Sequence, residues 1–156
     1  MSGVSAVRFA GSEPQPGQPI TIRIDRIPLS LNYWTRKHWV VRSREAKDTK
    51  LEVNLAFGVK RRQWVSLHGP WFKCPVQIHL VYYIGRLNKA GRKKGGFAAR
   101  LDVDNLVPKH IIDALKGMAF ADDNIDCVPM VTTEALWTDG PGGRTVISIA
   151  PYSRDW

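Results

Sequence analysis

The sequence predicts an α/β (mixed α+β) single domain, with a small mixed sheet of about four to five strands and two main helices in the order β-α-β-α-β-β. Three observations lead there. Apolar and polar residues alternate from Ile20 to Ile24 and again from Val76 to Tyr82, the period of half-buried strands. Two stretches between the strand-like runs change to a helical period and end on Gly58 and Gly117. The 156 residues, of which 44% are hydrophobic, supply one core and leave no second run of elements for another domain.

Residues 1–18 hold Gly3, Gly11, Ser12, Pro14, Pro16 and Gly17 and read as a flexible N-terminal arm. The folded domain is expected over 19–151. Its first strand is Ile20–Ile24, followed by a loop from Pro28 to Trp34. Ser43 is a candidate cap for a helix that carries Leu51, Val53, Leu55 and Phe57 and stops at Gly58, with Arg44, Lys47 and Lys50 on its polar face. Val76, Ile78, Leu80 and Tyr82 make the second strand. Gly85 to Arg100 contains Arg86, Lys89, Arg92, Lys93, Lys94 and Arg100, four glycines and no acid, so it reads as a flexible basic loop. Leu101 to Asp104 reads as a short strand end. A helix then runs from about Pro108, whose missing N–H suits a first helical position, to Lys116. Val128–Trp137 and Thr145–Ile149 are the last strands, joined by the turn residues Asp139 to Gly143. Residues 152–156 form a loose tail.

Charge narrows the partner. Twenty-three Lys and Arg against 14 Asp and Glu give a net charge of +9, which favours a polyanion such as nucleic acid. Cys74 and Cys127 are too few and too far apart for a disulfide framework, and with the four histidines they show no zinc-ligand spacing. No apolar run is long enough to span a membrane, and no signal peptide is seen, so a cytoplasmic location is expected. Gly91, Gly95 and Gly96 do not make a phosphate-binding loop, and no nucleotide cofactor is expected. Tyr83-Ile84-Gly85 is half of a GIY-YIG signature, without the other half.

The chemistry concentrates in the acids that follow the basic loop. Asp102 and Asp104 flank Val103, and residues two apart in a strand share a face. Two carboxylates side by side repel unless a cation or proton lies between them. Such hard oxygen ligands suit Mg²⁺, with Mn²⁺ as a substitute. A third carboxylate comes from Asp122 or Asp123, which a strand, a helix and a turn can bring back beside the strand end. The set can hold one ion or two, arranged to attack a phosphodiester. Lys109 falls in the first helical turn, where the helix dipole disfavours a cation. It therefore implies a nearby anion: Asp104, Asp113 or a bound phosphate. Taken singly these acids also fit a helix cap and a solvated turn. Charge alone fits a non-catalytic basic DNA-binding protein equally well.

The run Arg100-Leu-Asp-Val-Asp-Asn105, then Lys109, Asp113-Ala-Leu115 and Asp122-Asp123, resembles the signature of the RusA-type Holliday junction resolvases. Strand Ile20–Ile24 with Pro28, Ser30, Asn32, Arg36 and His38-Trp39 is similar to that family's opening strand and Pro-Ser-Asn loop. The resemblance implies a homodimeric, Mg²⁺-dependent endodeoxyribonuclease of DNA recombination and repair. Such enzymes bind four-way junctions and nick two opposed strands, in bacterial or phage-infected cells. It implies Asp102, Asp104 and Asp123 as metal ligands and Lys109 as the catalytic lysine. The implied DNA contacts are Asn32, Arg36, Lys37, Arg86, Lys89, Arg92, Lys93, Lys94, Arg100 and Asn105. In the family pattern the lysine follows the second aspartate by four positions. Here it follows by five, Pro108 being the extra residue.

Overall fold

The isoleucine alternation near the start of the chain is realised residue by residue. In the computed structural model, which describes residues 17–27, 38–62, 69–87, 106, 108–141 and 143–154, Ile20–Ile24 form β1 with all three isoleucines buried and Thr21 and Arg23 exposed. Helix α1 (Trp39–Arg62), strand β2 (Val76–Leu87), helix α2 (Lys109–Leu115), strand β3 (Met130–Pro141) and strand β4 (Gly143–Pro151) follow in the expected β-α-β-α-β-β order.

The four strands form one mixed sheet in the order β1-β4-β2-β3. Strand β4 is antiparallel to both β1 and β2, while β2 and β3 are parallel. A parallel pair needs a crossover connection, and the segment carrying α2 provides it. Ile147 stands opposite Ile22 on one side and Leu80 on the other, so the buried residues of three strands share one face. Val53 and Phe57 of α1 and Ile111 and Leu115 of α2 close over that face, with Trp71, Phe72 and Phe120 filling the space between. The Arg26 guanidinium ties β1 to α1 through Glu45 at 2.9 Å and Glu52 at 3.1 Å.

Several boundaries differ from expectation. Helix α1 starts before Ser43 and continues past Gly58. Val40 and Val41 offer no break upstream, and a glycine inside a helix costs only about 1 kcal/mol. Phe57, buried beside it, anchors the turn. Of the apolar residues on α1, Val53 and Phe57 are buried, whereas Leu51, Leu55 and Val59 lie on the opposite, solvent-facing side. Strand β2 runs on to Leu87, so the backbone of Gly85 and Arg86 belongs to the sheet and not to the basic loop. Strands β3 and β4 both extend into the Asp139–Gly143 segment, yet they do not pair with each other. Ile84 of β2 sits between Trp137 and Gly143 and separates them. Residues 1–16 of the expected arm, the expected loop from Pro28 to Trp34, residues 88–100 of the expected basic loop, the expected strand end from Leu101 to Asp104 and the last two residues of the expected tail lie outside the described residues. No helix among the described residues is long and apolar enough to cross a membrane.

Tyr82 is fully buried on β2, and its hydroxyl has no hydrogen-bond partner among the described residues. Burial pushes its phenol well above the ordinary tyrosine value. A desolvated, unpaired hydroxyl costs about 1–3 kcal/mol. Tyr82→Phe is therefore expected to leave stability unchanged or raise it. A denaturant melt showing a loss of more than about 1 kcal/mol would mean that the hydroxyl is paired in solution.

Candidate active site

Helix α2 and the turn after it position the charged residues. Pro108 (φ −77°, ψ 0°) leads into the helix with no side-chain cap. Past Leu115 the chain reverses at Gly117, whose φ of 82° lies in the left-handed region that glycine adopts without strain. The Gly117 N–H donates to the Phe120 carbonyl at 2.7 Å, and the Ala119 N–H donates to the Leu115 carbonyl at 2.8 Å. The strand-leading segment before β2 then grips both ends of the following loop. Trp71 and Phe72 N–H groups donate to the Met118 and Ala119 carbonyls at 2.9 and 2.8 Å, and the Val76 N–H donates to the Cys127 carbonyl at 2.8 Å. Residues 121–126 are thus a short excursion anchored at each end, with Phe120 and Val128 buried on either side.

The loop is built by its own side chains. Asp122 Oδ1 accepts the Asp123 N–H at 2.8 Å, and Asp122 Oδ2 accepts Asn124 Nδ2 at 3.2 Å. Asn124 Oδ1 accepts the N–H groups of Asp126 and Cys127 at 3.1 and 3.0 Å. Lys116 Nζ reaches Asp122 Oδ1 at 2.9 Å and Asp123 Oδ1 at 3.4 Å. The adjacent aspartates therefore differ. Both Asp122 oxygens hold the turn together, whereas Asp123 Oδ2 makes no hydrogen bond among the described residues.

The Lys116 hydrogen bond, then the Asp123 N–H, hold the Asp122 carboxyl below the ordinary carboxylate value. The hydrogen bond and charge of Asp122 in turn raise Lys116. A depressed carboxyl stabilises the fold above its unfolded value of 3.8 and loses that contribution as pH falls through its lower folded value. Asp122 and Lys116 are accordingly both charged throughout the neutral range.

Lys109, the first residue of α2, pairs with Asp113 one turn later at 3.3 Å. Asp113 is thus an anion that offsets the dipole penalty at Lys109. Beside it His110 is lowered by burial below the ordinary histidine value, with Asp113 opposing that shift. Lys109 and the Lys116–Asp122–Asp123 cluster mark opposite ends of a seven-residue helix, roughly 10 Å apart along its axis.

Of the residues singled out from sequence, Asp123 and Lys109 are described, and Arg86 is described as backbone within β2. Asp102, Asp104, Asn105, Asn32, Arg36, Lys37, Lys89, Arg92, Lys93, Lys94 and Arg100 lie outside the described residues. Among the described residues no group of three His, Cys, Asp or Glu side chains comes together to hold a metal. Sequence reasoning missed Lys116 and Asn124. The partial signal for Lys116 is a cation at the C-cap of the helix, next to the glycine that reverses the chain.

A family model described as endodeoxyribonuclease RusA matches residues 32–150, most of the chain. The matched stretch contains Asp102, Asp104, Lys109, Lys116, Asp122 and Asp123. No curated protein matches the chain.

Proposed function

The chain belongs to the RusA endodeoxyribonuclease family, and we propose that it is a Mg²⁺-dependent, structure-selective endonuclease that resolves four-way DNA junctions by paired nicking. The observation that carries this reading is Asp123. It is a carboxylate on a turn anchored at both ends, inside the matched stretch, with one oxygen uncommitted among the described residues. The Lys116 ammonium 3.4 Å from its other oxygen is a cation already held at the same place, which supports reading the turn as one that would take a divalent ion. Asp102 and Asp104 would complete the ligand set with Asp123. When bound, the ion would supply Lewis acidity toward a phosphodiester oxygen and lower the pKa of a water.

The remaining work falls to the chain's own side chains. Lys109 is exposed, and its bond to Asp113 is a surface pair of little worth, so a phosphate oxygen can replace the carboxylate as its partner. There the ammonium would stabilise negative charge building on the scissile phosphate. Arg36, Lys37, Arg86, Lys89, Arg92, Lys93, Lys94 and Arg100 would hold backbone phosphates, with Asn32 and Asn105 beside them. A four-way junction presents two related strands, which a two-fold homodimer would meet with two equivalent sites.

Cleavage of a four-way junction in Mg²⁺, compared with linear duplex of the same sequence, tests the reading. Selective cutting of the junction at two opposed strands is the expected result. Equal cutting of both substrates would remove the structure selectivity. Salt-sensitive binding without cutting in Mg²⁺ or Mn²⁺ would point to a non-catalytic DNA-binding protein. Sedimentation is expected to report a dimer at the concentrations where paired nicking occurs.

A further inference from the structure

Lys116 stands where the proposed metal site and the fold meet. Its backbone is fixed at the end of α2, where its N–H donates to the Ile112 carbonyl at 3.2 Å. Its side chain is about half exposed, at 47%, and spans Asp122 and Asp123 at 2.9 and 3.4 Å. Residues 117–130 contain three aspartates and no lysine or arginine, so Lys116 is the nearest cation that the sequence provides for them. Adjacent carboxylates without a cation repel, and Lys116 relieves that repulsion. A divalent ion at Asp123 would bring two like-charged groups within a few ångströms of each other, at a surface where screening is incomplete.

We propose that Lys116 is a resident counter-ion of the acidic turn, which holds Asp123 in the absence of metal and must swing aside as the divalent ion arrives. It thereby sets how much metal the enzyme needs. The inference rests on Asp123 being a metal ligand. It makes Lys116 a positioning residue with a definite sign. A lysine that only stiffened the turn would favour metal binding, and its loss would weaken affinity. A competing counter-ion opposes metal binding, and its loss strengthens affinity.

The test is a titration of the full chain with Mn²⁺, without DNA, following free Mn²⁺ by electron paramagnetic resonance. Lys116→Met and Lys116→Gln are expected to bind Mn²⁺ several-fold more tightly than wild type, up to about tenfold at low ionic strength. The gap should narrow as salt is raised. Lys116→Arg keeps the charge and is expected to bind as wild type does. Unchanged or weaker Mn²⁺ binding by both neutral variants would overturn the proposal. Asp123→Asn, titrated alongside, separates the two levels. If it binds Mn²⁺ as wild type does, the reading of Asp123 as a ligand falls, and the role of Lys116 falls with it. If it loses affinity while the neutral Lys116 variants do not gain any, only the counter-ion role falls.

Discussion

Asp123→Asn is expected to lower the single-turnover rate of junction cleavage in Mg²⁺ by about a thousandfold or more, the several kcal/mol that a metal centre contributes to a transition state. The substitution keeps the shape of the side chain and removes the negative charge proposed to bind the ion. The residue is on an exposed loop and its only bonded side-chain contact among the described residues is Lys116. Stability should therefore move by no more than about 0.5 kcal/mol. Junction affinity should hold or rise slightly, since a negative charge facing phosphate is lost. Asp122→Asn is the informative contrast. An asparagine there still accepts the Asp123 N–H, so its effect should be far smaller and should work through the shape of the turn. Cleavage by Asp123→Asn at the wild-type rate would remove Asp123 from the site. Equal losses from both substitutions would show that the two acids act as a unit.

Trp71→Ala is expected to have the largest effect on stability, about 3–5 kcal/mol, as when a fully buried aromatic is truncated. Trp71 is 1% exposed and packs edge-on against Phe57 of α1 at 6.0 Å between ring centres. Its indole N–H donates to the Gln18 carbonyl at 3.1 Å, and its own N–H holds Met118. The side chain thus joins the approach to β1 and α1, while the backbone of the same residue holds the start of the acidic turn. A fall in the thermal midpoint of roughly 10 °C or more is expected. Trp71→Phe should recover most of the packing and lose mainly the indole hydrogen bond, worth about 1 kcal/mol. Cleavage by the folded fraction should also drop, because the anchor of residues 121–126 is loosened. A melt within 3 °C of wild type would show that the cavity collapses around the missing ring.

Much of this architecture was legible in the residues themselves. The isoleucines of β1 alternate without interruption, and Pro108 with Gly117 brackets α2 to within a residue. Helix α1 was harder, because neither of its ends has a strong stop signal. In the sequence, Leu51 and Leu55 fit the helix on the same terms as Val53 and Phe57. Residue type alone does not say which side of a two-faced helix meets the core. The neighbours of β3 and β4 were hidden for a related reason. Gly and Pro between two strands suggest that they pair with each other, whereas long-range pairing with β2 decides the sheet. In the site, the aspartates were visible as a pattern. The division of labour between Asp122 and Asp123 was not, because it depends on which carboxylate turns back to the loop's own N–H groups. Lys116 was missed because its partners lie six and seven residues away, across a reversal that sequence spacing does not measure.

The strand order also governs when the molecule can come into being. Strand β4, the last of the strands in the chain, is an interior one and lies between β1 and β2. Until it arrives, Ile20, Ile22 and Ile24 have no strand to pair with, and β1 waits through more than a hundred residues of synthesis for its neighbour. Closing so long a loop is slow and couples the whole sheet into a single late event. A ribosome-bound chain that has already exposed Lys109 and Asp123 still lacks the finished sheet that supports them. Nuclease competence is thus tied to completion of β4, and shortened chains ending before it should be harmless to DNA and ready targets for proteolysis.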